Sequence, residues 1–260
     1  MLTAKDLIVK PITQKAAAAL VKRIHYSGKV VNNSSLHLGV FIGGVLDGAM
    51  SFGASMDKRK TQRLVADTGW NEFLELNRMA FGDRLPRNSE SRALSIAMML
   101  IKKHYPHIKW IISFSDGCQC GDGTIYRASG FYLSSIKKNK TILKLADGSI
   151  VADHSLDGPN HVGADGRSGS AVAKANGAVP LDGYMLRYIY FLDKSFKDKI
   201  REPLLDFSAI GEIGAGMYKG VKLDRRLKQA MGDDQSPQRR CDTDLNAPLL
   251  SDETIGSKPQ

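Results

Sequence analysis

The most constraining feature of this chain is a pair of consecutive apolar segments with different periods. RALSIAMMLIKKHYP, residues 92–106, is too long for a strand and apolar around most of its circumference. It predicts a buried helix. Asn88 or Ser89 would cap it, and Lys102, Lys103 and His104 fall in its last turn, where cations suit the helix dipole. IKWIISFS, residues 108–115, follows at once, and its continuous apolar run predicts a buried strand.

The flanking sequence extends that alternation. DLIVKPI (6–12) reads as a first strand, and Thr13 caps a helix QKAAAALVKRI whose Ala17, Leu20, Val21 and Ile24 form one face. The helix should stop around His25-Tyr26-Ser27-Gly28, with Gly28 ending it. HLGVFI and VLDGAMSFGAS predict a hairpin through Gly43-Gly44, and the end of GWNEFLELNRMAF predicts a further strand. After the buried strand, TIYRAS reads as a short helix closed by Gly130. FYLSSI and GYMLRYIYFL read as strands, and DFSAI as a last one. Residues 146–180, rich in Gly, Asp, Ser and Ala without sustained period, read as a long insertion loop. From 222 to 260 the chain is charged and polar, and reads as a disordered tail. The expected fold is α/β: a mixed sheet with helices on both faces.

Composition narrows the partners. The 260 residues carry a net charge of +10, which favours a polyanion such as nucleic acid. No apolar run reaches the length of a membrane span, and MLTAKDLIVKPIT lacks a signal-peptide core. Three cysteines, Cys118, Cys120 and Cys241, argue against a disulfide scaffold and for a reducing cytoplasm.

Three constellations carry candidate chemistry. In GDRLPRNSES, the backbone N–H groups at the helix start, Arg84, Arg87 and the Ser89 and Ser91 hydroxyls would suit an anion; an ordinary serine-capped turn explains the same residues. In FSDGCQCGDGTIYRASGF, Cys118 and Cys120 are separated by one residue, too few for a structural zinc site, and no second thiol pair accompanies them. Asp116 lies just beyond the buried strand, at a sheet rim where ligands bind, although an aspartate before glycine is also a common turn. Tyr126 lies in the short helix, where core packing is the plain alternative. His25-Tyr26 at a helix end offers a base or ligand beside a phenol; as a lone pair it is more often structural. His104 and His107 look like surface residues, and His154 and His161 fall in the insertion.

The order of elements resembles the GNAT acyltransferase superfamily. LELNRMAF sits at its central strand, PRNSESRAL at its pyrophosphate loop and helix, and IYRASGF at its tyrosine-to-Gly-Phe segment. HYSGKVV, LELNRMAF, PRNSES and FSDG…TIYRASGF together resemble the Mom DNA-modification proteins of Mu-like bacteriophages, over about residues 5–200. The resemblance implies a GNAT-like catalytic domain over 1–221 with a mostly antiparallel central sheet. It also implies an activity: converting the exocyclic amine of adenine in duplex DNA to a carbamoylmethyl derivative, in the host cytoplasm, to protect phage DNA from restriction. It implies iron, held by His25, Tyr26 and Asp116, with Tyr126 completing the catalytic set, and Arg78 and Ser91 contacting a donor, acetyl-CoA or another activated species.

An adenine amine is a poor nucleophile, so such an enzyme must take its proton and present an activated carbon. The base would have to be flipped from the duplex, while Lys22, Arg23, Lys58, Arg59, Lys60 and Arg63 hold the backbone and the insertion contacts bases. On this reading Tyr126→Phe folds and loses activity. A conventional N-acetyltransferase acting on a protein or small-molecule amine and a non-catalytic DNA-binding phage protein are the rivals.

Overall fold

The computed structural model describes residues 2–157, 166–218 and 221–222. Strand β1 (Ile8–Pro11) leads into helix α1 (Gln14–Ile24), which Thr13 caps by accepting the amide of Ala16 at 3.2 Å. Strands β2 (Ser34–Ile42) and β3 (Val45–Gly53) form the expected hairpin. Its turn residues Gly43 and Gly44 both have positive φ, +56° and +80°, the backbone a tight hairpin turn requires. Helix α2 (Lys58–Gln62) precedes β4 (Phe73–Phe81), α3 (Ser89–His104), β5 (Trp110–Asp116), α4 (Thr124–Ala128) and β6 (Tyr132–Lys138).

Further along, β7 (Ile142–Lys144), β8 (Ile150–Ala152) and β9 (Val179–Pro180) make a small antiparallel sheet, with α5 (Gly169–Ala175) between β8 and β9. The segment 146–180, expected as an insertion loop, is therefore in part a built subdomain. Its strands of two or three residues are too short for a period to show in sequence. Strand β10 (Tyr184–Phe191) returns to the main sheet. DFSAI, expected as a strand, ends in helix α6 (Ser208–Glu212): Asp206 accepts the amide of Ser208 at 2.7 Å, and that local turn outweighs the β-propensity of the segment. The pair β11 (Met217–Tyr218) and β12 (Val221–Lys222) follows. The tail from 223 onward and His161 lie outside the described residues.

The main sheet runs β1-β2-β3-β4-β5-β10-β6. Every neighbouring pair is antiparallel except β4 and β5, so the sheet is mixed and mostly antiparallel, as expected. One face packs under α3 and α4 in a core that includes Val40, Met50, Leu94, Met98, Ile111 and Tyr126. The other is covered in two patches. Ala17 and Leu20 of α1 sit on Ala49, while Val65 and Phe196 join Phe73, Trp110 and Ile112. Between those patches lies the feature that makes a site. β4 and β5 pair only at Phe73↔Trp110, Leu74↔Ile111 and Glu75↔Ile112, and then part. Where they part, the β3–β4 register shifts so that Asn77 has no partner across it, a local irregularity of the kind that re-aims side chains.

Candidate active site

The opening between β4 and β5 gathers residues that are far apart in sequence. Helix α1 ends at His25, and Gly28, with φ +57°, turns the chain back by donating its amide to the His25 carbonyl at 2.8 Å. That turn carries Tyr26 across to β5, where its hydroxyl donates to Asp116 Oδ2 at 3.3 Å. The His25 ring stacks on Tyr26, centroids 4.4 Å apart. Arg78 of β4 ties the same loop down, its Nε donating to the Lys29 carbonyl at 3.0 Å.

Asp116 is 7% exposed and well supplied with donors. Its Oδ1 accepts the amides of Cys118 and Gln119 at 2.9 and 3.2 Å, and Oδ2 accepts Gln119 Nε2 at 2.8 Å. With the Tyr26 hydroxyl, four donors converge on its two oxygens. His25 is held neutral at physiological pH: burial, and then the nearby Arg78 cation, push its pKa down to about 4. Its Nδ1 accepts the Ser27 amide at 3.1 Å and meets Ser27 Oγ at 2.8 Å. Since Nδ1 takes a backbone N–H, the neutral ring carries its proton on Nε2 in this arrangement.

Two expected residues stand elsewhere. Tyr126 is 8% exposed and lies in the core on the α3/α4 face, stacked on Tyr188 at 5.0 Å and packed on Phe131. Ser113 Oγ donates to its hydroxyl at 2.8 Å, and burial raises its pKa to about 12. The reason is strand parity. Ser113 and Asp116 are three apart on β5 and so point to opposite faces, and Tyr126 packs on the Ser113 side. Ser91 sits on α3 with Ala4, Lys5, Asn88, Arg92, Ser95 and Ala128 around a shallow groove, also away from Asp116. The anion site expected beside it is altered too, because Ser89 is fully buried and donates its hydroxyl to the Pro86 carbonyl.

The remaining expectations are simpler. His104 and His107 are exposed, as is the His154 side chain. Cys118 and Cys120 are free thiols, and burial followed by the Asp116 charge raises the Cys118 pKa to about 12, so it is not a ready thiolate.

Sequence reasoning missed Glu75. It sits where β4 leaves β5, with its carboxyl pKa raised by burial against hydrogen bonds from Ser55 and Asn77 and the charge of Arg78. Its signal was visible: an acid inside the otherwise strand-like FLELNRMAF, three residues before Arg78.

The fold and site define a mixed α/β protein whose sheet opens onto a phenol–carboxylate pair flanked by neutral imidazole and guanidinium. The chain belongs to the Mom protein family, whose model matches residues 6–209. It is 35% identical over 202 residues to the methylcarbamoylase Mom of Escherichia phage Mu, covering 77% of this chain and 81% of that protein. Among solved structures it is similar to FeeM, an N-acyl amino acid synthase from uncultured soil microbes, with TM-score 0.43 and 14% identity over 75% of this chain and 95% of that one. It is also similar to the ribosomal-protein-S18-alanine N-acetyltransferase of Escherichia coli, with TM-score 0.40 and 10% identity over 72% and 94% of the two chains. Among the described residues, no helix is long and apolar enough to cross a membrane.

Proposed function

We propose that this chain is a phage DNA-modification transferase that places a carbamoylmethyl group on the exocyclic amine of adenine in duplex DNA, shielding viral DNA from host restriction. The observation that carries this reading is the family match, because residues 6–209 contain every residue of the site and the Mu-phage relative is a methylcarbamoylase. The charge of +10 suits a DNA partner, with Lys22, Arg23, Arg59, Lys60 and Arg63 all exposed.

In this proposal the amine nitrogen attacks the electrophilic methylene carbon of a carbamoylmethyl donor, and the bond from that carbon to the donor's leaving group breaks with its electron pair. Asp116 takes the proton the amine loses, and Tyr26 orients the carboxylate through the shared hydrogen bond. Arg78 fixes the His25–Lys29 loop over the opening. Tyr126 is a positioning residue that braces Ser113, and so β5, beneath Asp116. The groove beside Ser91 lies away from Asp116 and is given no part in this step.

Iron fits the donor set with one condition. Among the described residues no three His, Cys, Asp or Glu side chains cluster, so a metal here needs the Tyr26 oxygen beside Asp116 and a nitrogen of His25. For Nε2 to be that nitrogen, the ring proton would have to sit on Nδ1, donated to Ser27 Oγ at 2.8 Å, in place of the bond Nδ1 accepts from the Ser27 amide. Bound iron would supply Lewis-acid or redox activation. Metal analysis of purified His25→Ala and Asp116→Ala proteins should show lowered iron with an unchanged circular-dichroism spectrum. Iron contents equal to wild type would remove both as ligands.

The deciding experiment is mass spectrometry of nucleosides from DNA of cells expressing the protein. A carbamoylmethylated deoxyadenosine, absent with Asp116→Asn, is expected. Unmodified DNA together with acetyl-CoA turnover in the absence of DNA would instead indicate a conventional acetyltransferase.

A further inference from the structure

Strand β5 is the fifth of seven in the main sheet, and six of its seven residues are buried. The exception is Phe114, which is 43% exposed. A large apolar ring left uncovered where β5 has parted from β4 marks a gap in the layer above it. The gap has visible edges. Helix α1 packs mainly on β2, β3 and β4, and of β5 the second patch includes Trp110 and Ile112. Phe114 belongs to none of the three core clusters.

Alternation along the strand puts Phe114 on the same face as Asp116, two residues on, so the ring and the carboxylate lie about 7 Å apart along the strand. A flat bicyclic base lying on that ring would reach the carboxylate with its edge. The framing charge suits such a ligand in a nucleic acid: α1 carries exposed Lys22 and Arg23, and α2 carries exposed Arg59 and Lys60.

We propose that Phe114 is the stacking platform for the target adenine once it leaves the duplex, holding the base flat so that its amine edge meets Asp116. Stacking on an aromatic face is tolerant of base identity, so recognition of the amine falls to the polar residues beyond the ring. The inference rests on the proposed adenine modification for its biological setting, but base binding itself can be tested alone.

Two measurements separate them. In saturation-transfer NMR with free adenosine and the full chain, wild type should bind through the base protons, Phe114→Trp should retain binding, and Phe114→Ala and Phe114→Leu should weaken it roughly tenfold or more, within the range for base–aromatic stacking. In cells, adenine modification should follow the same order while the melting temperature of each variant stays near wild type. Adenosine binding unchanged in Phe114→Ala, or Phe114→Leu as good as wild type, would overturn the platform. Ring-dependent adenosine binding without any modified adenine in cellular DNA would uphold the platform and sink the modification reading instead.

Discussion

Tyr26 and Tyr126 both lie beside β5, on opposite faces, and their surroundings differ in kind. Tyr26 is half-buried at the end of a loop, with its hydroxyl on a carboxylate at the edge of an opening. Tyr126 is sealed under α3 and α4 among Phe131 and Tyr188, its hydroxyl meeting a serine. The first face spends its polar groups around a gap. The second uses them to finish a core: the Tyr188 hydroxyl donates to the Asp122 carbonyl, and Gly123, at φ +82°, leaves room for the Tyr188 ring, which a Cβ there would meet at 2.4 Å. The contrast teaches that a tyrosine in a catalytic motif can serve by chemistry or by support, and that the partner of its hydroxyl tells which.

The strongest test of this division removes function from the open face without touching the core. Asp116→Asn keeps the shape and an oxygen for the Cys118 and Gln119 amides, but on the proposed mechanism it cannot accept the amine proton. Adenine modification should fall by roughly two to four orders of magnitude, the scale of a lost acid–base group, with an unchanged melting temperature. A variant that modifies DNA normally would dissolve the distinction. The mirror experiment empties the sealed face. Tyr188→Ala should cost about 3–5 kcal/mol of stability, the usual price of deleting a buried aromatic, read from denaturant midpoints. A stability within experimental error of wild type would show that this face is not the core it looks to be.

How much of this was legible beforehand follows from the range over which each feature is decided. Helices α1 and α3, the Gly43-Gly44 hairpin and strands β5 and β10 are written in local period and turn chemistry, and they stand where the sequence places them. The subdomain around β7 is not, since Ile142–Lys144 becomes a strand only by pairing with residues six and more positions away. Within the site, His25, Tyr26 and Asp116 could be named from motifs, but their meeting spans 90 residues of chain and depends on where β4 and β5 part. The separation of Tyr126 from Asp116 was within reach of parity counting along β5, because Ser113 and Asp116 are an odd number of residues apart. The resemblance put both tyrosines in one catalytic set, with Tyr26 alone also an iron ligand, and the packing sets them on opposite faces of β5.

A smaller effect is expected at the hinge of the open face. Arg78→Ala removes the hydrogen bond to the Lys29 carbonyl that holds the His25–Lys29 loop. A charge-assisted bond of this type contributes about 1.5–3 kcal/mol, so modification should drop by roughly ten- to a hundredfold. If Arg78 acts through loop position, Arg78→Lys should recover part of that loss, and no recovery would assign the guanidinium a direct contact with substrate or donor.

The smallest effect belongs to Tyr126→Phe, and it bears most directly on the comparison. Phenylalanine keeps the ring that packs on Phe131 and Tyr188, and deletes only the oxygen that meets Ser113 Oγ at 2.8 Å. Ser113 retains a second acceptor in the Leu76 carbonyl at 3.4 Å, so the hydroxyl left behind is not stranded. The expected cost is therefore about 1 kcal/mol of stability, the net contribution of one neutral hydrogen bond. Modification should stay within a few-fold of wild type, because β5 still carries Asp116 on its other face. A loss of two orders of magnitude in a normally folded Tyr126→Phe protein would mean that the phenol itself delivers a proton, reaching the reaction through the parting of β4 and β5 where Glu75 lies. The two faces would then form one site, and the buried tyrosine would be its acid.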